Sequence, residues 1–149
     1  MKYQSTKTFG NDRGLSCAFR QPKATHSHCS LIHGYSLGFK FVFEADTLDD
    51  KNWVYDFGNT KWIKAYLEEN FDHTIAVDTQ DPAVADFARL ETVGIAKIVL
   101  MDGVGCEKFA EHVYNHVATK VIAESGSRVK LVSVEVFEHG ANSAICIGD

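Results

Sequence analysis

Two prolines in 149 residues, with no low-complexity tract and no internal repeat, leave nothing to mark a linker, so the chain reads as one domain over residues 1–149. Positive charge is also short. Fifteen Lys and Arg against 20 Asp and Glu give a formal net charge of −5, and the basic residues are scattered, which excludes the broad basic field that nucleic acid requires. No apolar run approaches the ~20 residues of a membrane-crossing helix, and the opening MKYQSTKTFG lacks the apolar centre of a secretion signal. A cytoplasmic protein with neither membrane nor nucleic-acid partners is expected. The four cysteines, Cys17, Cys29, Cys106 and Cys146, show neither CxxC spacing nor the density of a disulfide scaffold, so reduced thiols follow.

What is present is an ordinary globular composition, 45% hydrophobic and 23% charged, in a chain long enough to bury about 68–70% of its unfolded surface. Leu37, Phe39, Phe41 and Phe43 alternate, predicting a strand over 35–45 with one buried face. An earlier strand is expected over 16–20. The extended WVYDFG leads to Asn59 as a helix N-cap, and Trp62, Ile63, Tyr66 and Leu67 form a helical stripe to about Asn70. A loop through FDHTIAV, a short helix over 82–90 and a strand in IAKIVLM follow. Phe109, Val113, Val117 and Val121 recur at i+4, predicting a helix from Cys106 to near Gly126. VKLVSVEVFEH and NSAICI close the chain as strands, the first with Val132, Val134, Val136 and then Glu138 on one face. Strands close enough in sequence to pair as antiparallel hairpins, with helices between, make an α+β domain whose sheet edges call for a homo-oligomer.

Three places carry chemistry. HSHCSLIHGYS crowds His26, His28, Cys29 and His33 ahead of a strand; in extended backbone His26 and His28 share a face, as do His33 and Tyr35. Imidazole and thiolate suit zinc, with three protein ligands and an open position, although a solvated polar loop would look the same. Asp72-His73 follows a helix directly. It is either a carboxylate-tuned imidazole working near neutral pH or a histidine meeting the last helical carbonyls. Glu138 prolongs an apolar strand face, where a carboxylate is costly unless paired. It is either an exposed strand end or an acceptor of two parallel hydrogen bonds from the edge of a pterin or guanine ring.

In this order the motifs resemble the 6-pyruvoyl-tetrahydropterin synthase and 6-carboxytetrahydropterin synthase family. The family's Cys-x-x-x-His-Gly-His is similar to Cys29-Ser30-Leu31-Ile32-His33-Gly34-Tyr35, and its Asp-Phe-Gly to Asp56-Phe57-Gly58. Its Asp-His pair corresponds to Asp72-His73, its Glu heading the second helix to Glu107, and its pterin-anchoring Glu to Glu138. The resemblance implies a tunnelling fold: a four-stranded antiparallel sheet with two main helices on one face, assembled into a barrel of three, four or six subunits with active sites between them. It implies Cys29 as general base with Asp72 and His73, and Glu138 and Glu107 on the substrate. The substrate implied is 7,8-dihydroneopterin triphosphate, converted to 6-carboxytetrahydropterin on the route to deazapurines such as queuosine.

The departures concern the zinc ion that the family holds on three histidines. Phe19 stands at the first and Tyr35 at another, leaving His33. Either His26 and His28 complete the site with His33, or the metal is weakly held or absent. Val104-Gly105-Cys106 replaces the family's Pro-Thr before the helical Glu. A pterin lyase with an altered metal site is the leading expectation. A non-catalytic pterin-binding or regulatory homologue, or another pterin enzyme of the same fold, is the alternative.

Overall fold

A computed structural model describes all 149 residues. Seven strands, β1 (Tyr3–Phe9), β2 (Leu15–Phe19), β3 (His33–Ala45), β4 (Thr74–Asp78), β5 (Ile98–Met101), β6 (Val129–His139) and β7 (Asn142–Ile147), join three helices, α1 (Lys61–Phe71), α2 (Val84–Thr92) and α3 (Cys106–Glu124). The strands form one sheet in the order β5-β4-β2-β3-β6-β7, with β1 added on β3. The expectation of a mixed α+β domain holds, whereas that of four antiparallel strands does not. There are seven, and the β2–β4 and β4–β5 pairings are parallel.

The organising strand is β3. Its first residues pair with β2 and the rest with β1, both antiparallel, and its opposite edge receives β6. Leu37, Phe39, Phe41 and Phe43 are fully buried on the face that α1 and α3 cover, where Phe39 lies 5.0 Å from Phe71 and Phe71 lies 5.2 Å from Phe109, centroid to centroid. The i+4 residues Phe109, Val113, Val117 and Val121 are likewise wholly buried, as a one-faced helical stripe requires. In register on the opposite face stand Lys40, Glu135 and Ile145, the last exposed.

Two strands escape the sequence pattern for opposite reasons. β1 buries only Phe9, so it shows no apolar alternation, while TIAVD in β4 is too short to show a period. The expected Asn59 cap is displaced because the Asp56 carboxylate already accepts from the Gly58 N–H at 2.8 Å and starts a 3-10 turn over Phe57–Thr60. The alternation along β6 is interrupted as well. A bulge opposite Val42 and Phe43 leaves Val132 unpaired with β3, so Val129 and Leu131 are buried before it and Val134 and Val136 after it. Val132 therefore does not share the buried valine face.

One ion pair ties the fold to the loop that bears Cys29. The Arg20 guanidinium donates to Asp81 through Nε at 2.9 Å and Nη2 at 2.6 Å, and its Nη1 donates to the Ser30 carbonyl at 3.1 Å. Asp81, buried, also accepts from the Ala83 N–H ahead of α2.

Candidate functional site

Glu138 sits at the second irregularity of β6. Phe137 pairs with Ser143 and His139 with Asn142, so Glu138 is the extra residue, and a bulge re-aims a side chain at the end of a strand. The Asn11 side chain braces the bulge by donating to the carbonyls of Ser36 and Phe137 at 2.7 and 3.2 Å. Glu138 lines a polar cleft of about 470 Å³ with Cys106, Glu107, Asn142 and Ser143. The buried Cys106 thiol is pushed up to about 12 by desolvation first and then by the Glu138 and Glu107 carboxylates, so it stays protonated beside Glu138.

The glycine before Cys106 makes this approach feasible. Gly105 has φ 106° and ψ 166°, a region essentially reserved for glycine, and the Gln21 side chain crosses it to donate to the Val104 carbonyl at 2.6 Å. A Cβ on Gly105 would stand 2.5 Å from Gln21 Nε2. Gly105→Ala is expected to lower unfolding stability by about 1–3 kcal/mol in urea titrations, mostly from backbone strain, since Gln21 can swing aside.

Cys29 lies in a 3-10 turn over His28–Ser30, where its N–H donates to the Ser27 hydroxyl at 3.0 Å and its carbonyl accepts from the Gln21 N–H at 2.7 Å. Its thiol is exposed. Tyr35 sets its ring 6.2 Å from that of His139, the residue after Glu138 on β6, and desolvation, ahead of the Glu138 charge, pushes its phenol up.

The histidine cluster does not become a metal site. His26 and His28 are exposed on a turn rather than on extended backbone, whereas His33 and Tyr35 do share a face of β3, ring centroids 5.6 Å apart. No three His, Cys, Asp or Glu side chains converge to hold an ion, so His26, His28 and His33 are not assembled as a ligand set. Phe19 and His33 are cross-strand partners with centroids 4.9 Å apart, and Phe19 packs edge-on against Phe109 at 5.2 Å. Within the chain the residues present do not fit a zinc ion.

Asp72 and His73 do meet. Asp72 Oδ1 lies 2.7 Å from His73 Nδ1, while His73 adopts φ 55° and projects an 86% exposed side chain into solvent. Asp72 lines a different cleft, with Arg13, Lys64 and Glu68. The pair is thus formed, but within one chain it does not join Glu138.

The family model described as 6-pyruvoyl tetrahydropterin synthase matches residues 10–149. The chain belongs to that family. Its relatives include the 6-carboxy-5,6,7,8-tetrahydropterin synthase of Aquifex aeolicus, 26% identical with 97% of each chain covered, and that of Bacillus subtilis, 27% identical over 62% of each. An uncharacterized protein of Wolinella succinogenes shares the fold with a TM-score of 0.79 at 21% identity, covering 100% of this chain and 99% of the other. The 6-pyruvoyl tetrahydropterin synthase of Plasmodium falciparum does so at 0.72 and 13%, covering 97% and 96%. These relatives support a pterin lyase. No helix is long and apolar enough to cross a membrane.

Residue pattern alone does not single out Cys106, His139 or Gln21, which the fold brings to the candidate site. Cys106 is isolated in sequence, and its signal was its place just ahead of Glu107 between the glycine-rich turn and the helix. His139, whose ring lies 6.2 Å from Tyr35, is one residue past Glu138 and reaches the cluster through the bulge.

Proposed function

We propose that this chain is a 6-carboxytetrahydropterin synthase-like lyase acting on 7,8-dihydroneopterin triphosphate, with loss of acetaldehyde and triphosphate, on a route to deazapurines such as queuosine. The observation that carries the reading is the placement of Glu138, turned by its bulge into a polar cleft beside Cys106 and Glu107. A carboxylate there accepts two parallel hydrogen bonds from the amino group and ring N–H of a pterin. Glu107, exposed at the start of α3, serves as a second substrate contact.

Cys29, exposed on its turn, takes the side-chain proton. In a homo-oligomer, Asp72 and His73 of a neighbouring copy complete the site. Asp72 holds Nδ1 and leaves Nε2 to exchange protons. The free strand edges and the exposed Ile145 and Ile147 of β7 support such assembly, in the cytoplasm, as a barrel of three, four or six subunits. No step is assigned to a metal ion.

The test is neopterin binding followed by the pterin's own fluorescence. Glu138→Gln replaces one of two acceptor oxygens by a donor and removes the charge. Its dissociation constant should rise by about 10–100-fold, as expected for losing a hydrogen bond to a charged group. Unchanged affinity would remove the ring anchor and with it this reading. Wild-type binding without any turnover of the triphosphate would instead make the chain a pterin-binding regulator.

A further inference from the structure

Three positions converge where the family gathers three histidines; Phe19 cannot ligate, and Tyr35 is a poor ligand unless metal binding drives off its proton. Phe19 on β2 and His33 and Tyr35 on β3 share one face of the sheet, because Phe19 pairs with His33, and Tyr35 follows His33 by two residues. Their ring centroids lie 4.9, 5.6 and 6.2 Å apart, and His139 closes on Tyr35 from β6. These separations fall in the range of aromatic packing. Phe19 is 2% exposed and wedged against Phe109 of α3, so its ring is a fixed part of the core. His33 Nδ1 is 2.8 Å from the Leu31 carbonyl, to which it must donate, leaving a single imidazole nitrogen directed elsewhere.

We propose that aromatic packing has replaced the metal shell here, so that this chain handles its pterin without a resident metal ion, against a wall whose polar group is the Tyr35 hydroxyl. This rests on the pterin reading for the ligand class alone; the loss of the ion is a property of the three side chains. The hydroxyl is a hydrogen-bond donor on a ring 6.2 Å from that of His139, next to Glu138 on β6, and suited to meeting a side-chain oxygen of the bound substrate. The replacement is reversible by substitution, because the strand register that gathers three side chains on one face is intact.

The full chain, purified without chelator or affinity tag, is titrated with Co²⁺ and read by its visible d–d absorption and by metal analysis after gel filtration. Wild type should retain no stoichiometric Co²⁺ or Zn²⁺. Phe19→His with Tyr35→His should bind one equivalent with the intense bands of tetrahedral cobalt. Its affinity should improve by more than the ~10–100-fold that outer-shell partners alone contribute. Stoichiometric metal in wild type overturns the proposal, as does a folded double variant that gains no affinity. Should the buried Phe19 position not tolerate histidine, Tyr35→His alone, at a half-buried site, must still raise Co²⁺ affinity at least about tenfold by pairing with His33. No gain overturns the proposal. The cobalt spectrum needs no pterin, so it stands apart from failure of neopterin binding.

Discussion

Cys29→Ala should lower the turnover of 7,8-dihydroneopterin triphosphate by about 10²–10⁴-fold, the usual contribution of a positioned proton-transfer group, while leaving neopterin affinity and thermal stability unchanged. The separation of these effects follows from how Cys29 is held. Its N–H and carbonyl are fixed by Ser27 and Gln21, so the turn survives the loss of sulfur, and the exposed thiol adds no packing. Cys29→Ser retains size but offers a far weaker base than a thiolate, so it should be nearly as slow. A loss confined to KM would assign Cys29 to binding; an unchanged kcat would remove it from proton transfer altogether.

Asp81→Ala should destabilise the protein by about 1.5–3 kcal/mol in urea unfolding, because it strands the partly buried Arg20 guanidinium where a two-pronged partner was built for it. Hydrogen bonds from Arg20, ahead of desolvation, hold the Asp81 carboxyl below the usual carboxylate range. A lowered folded-state value means that the pair's stability is fully present above the unfolded carboxyl's pKa, near ~3.9, and is lost as pH falls through the lower folded value. Asp81→Asn should therefore weaken the protein at neutral pH and flatten its acid unfolding profile. Removing both partners, Arg20→Met with Asp81→Leu, should restore most of the stability, since a buried pair is costly to break but not to replace. The Ser30 carbonyl would still lose its donor, so the double variant should fold well and turn over slowly.

What could be read from residues alone follows the physics of burial. The period-two phenylalanines of β3 and the i+4 stripe of α3 declare themselves because a single face of each is buried, and β6 and β7 are bounded by the turn at Gly140. β1, exposed along most of its length, and β4, five residues long, have no such signature. Among the candidate site residues, Glu138 and Glu107 stood out by motif order and line one cleft, whereas motif order could not say that Asp72 lines another. The convergence of Phe19 on His33 followed only from the family resemblance, since residue pattern alone does not give the register between strands fourteen positions apart in the chain. His26 and His28 looked like replacements only on the assumption of extended backbone, which the Ser27-capped turn removes.

The two-sided pairing of β3 also shapes the order in which the chain assembles as it leaves the ribosome. β1 and β2 emerge just before β3 and can zip onto one of its edges at once, whereas β6, which must cover the other edge, is among the last segments made. Until α3 and then β6 are made, the Phe39, Phe41 and Phe43 row lacks that helix over its face and the strand along its free edge. A nascent chain with an open strand edge and an uncovered row of phenylalanines is the kind of species that chaperones bind and that neighbouring chains on a polysome can mispair with.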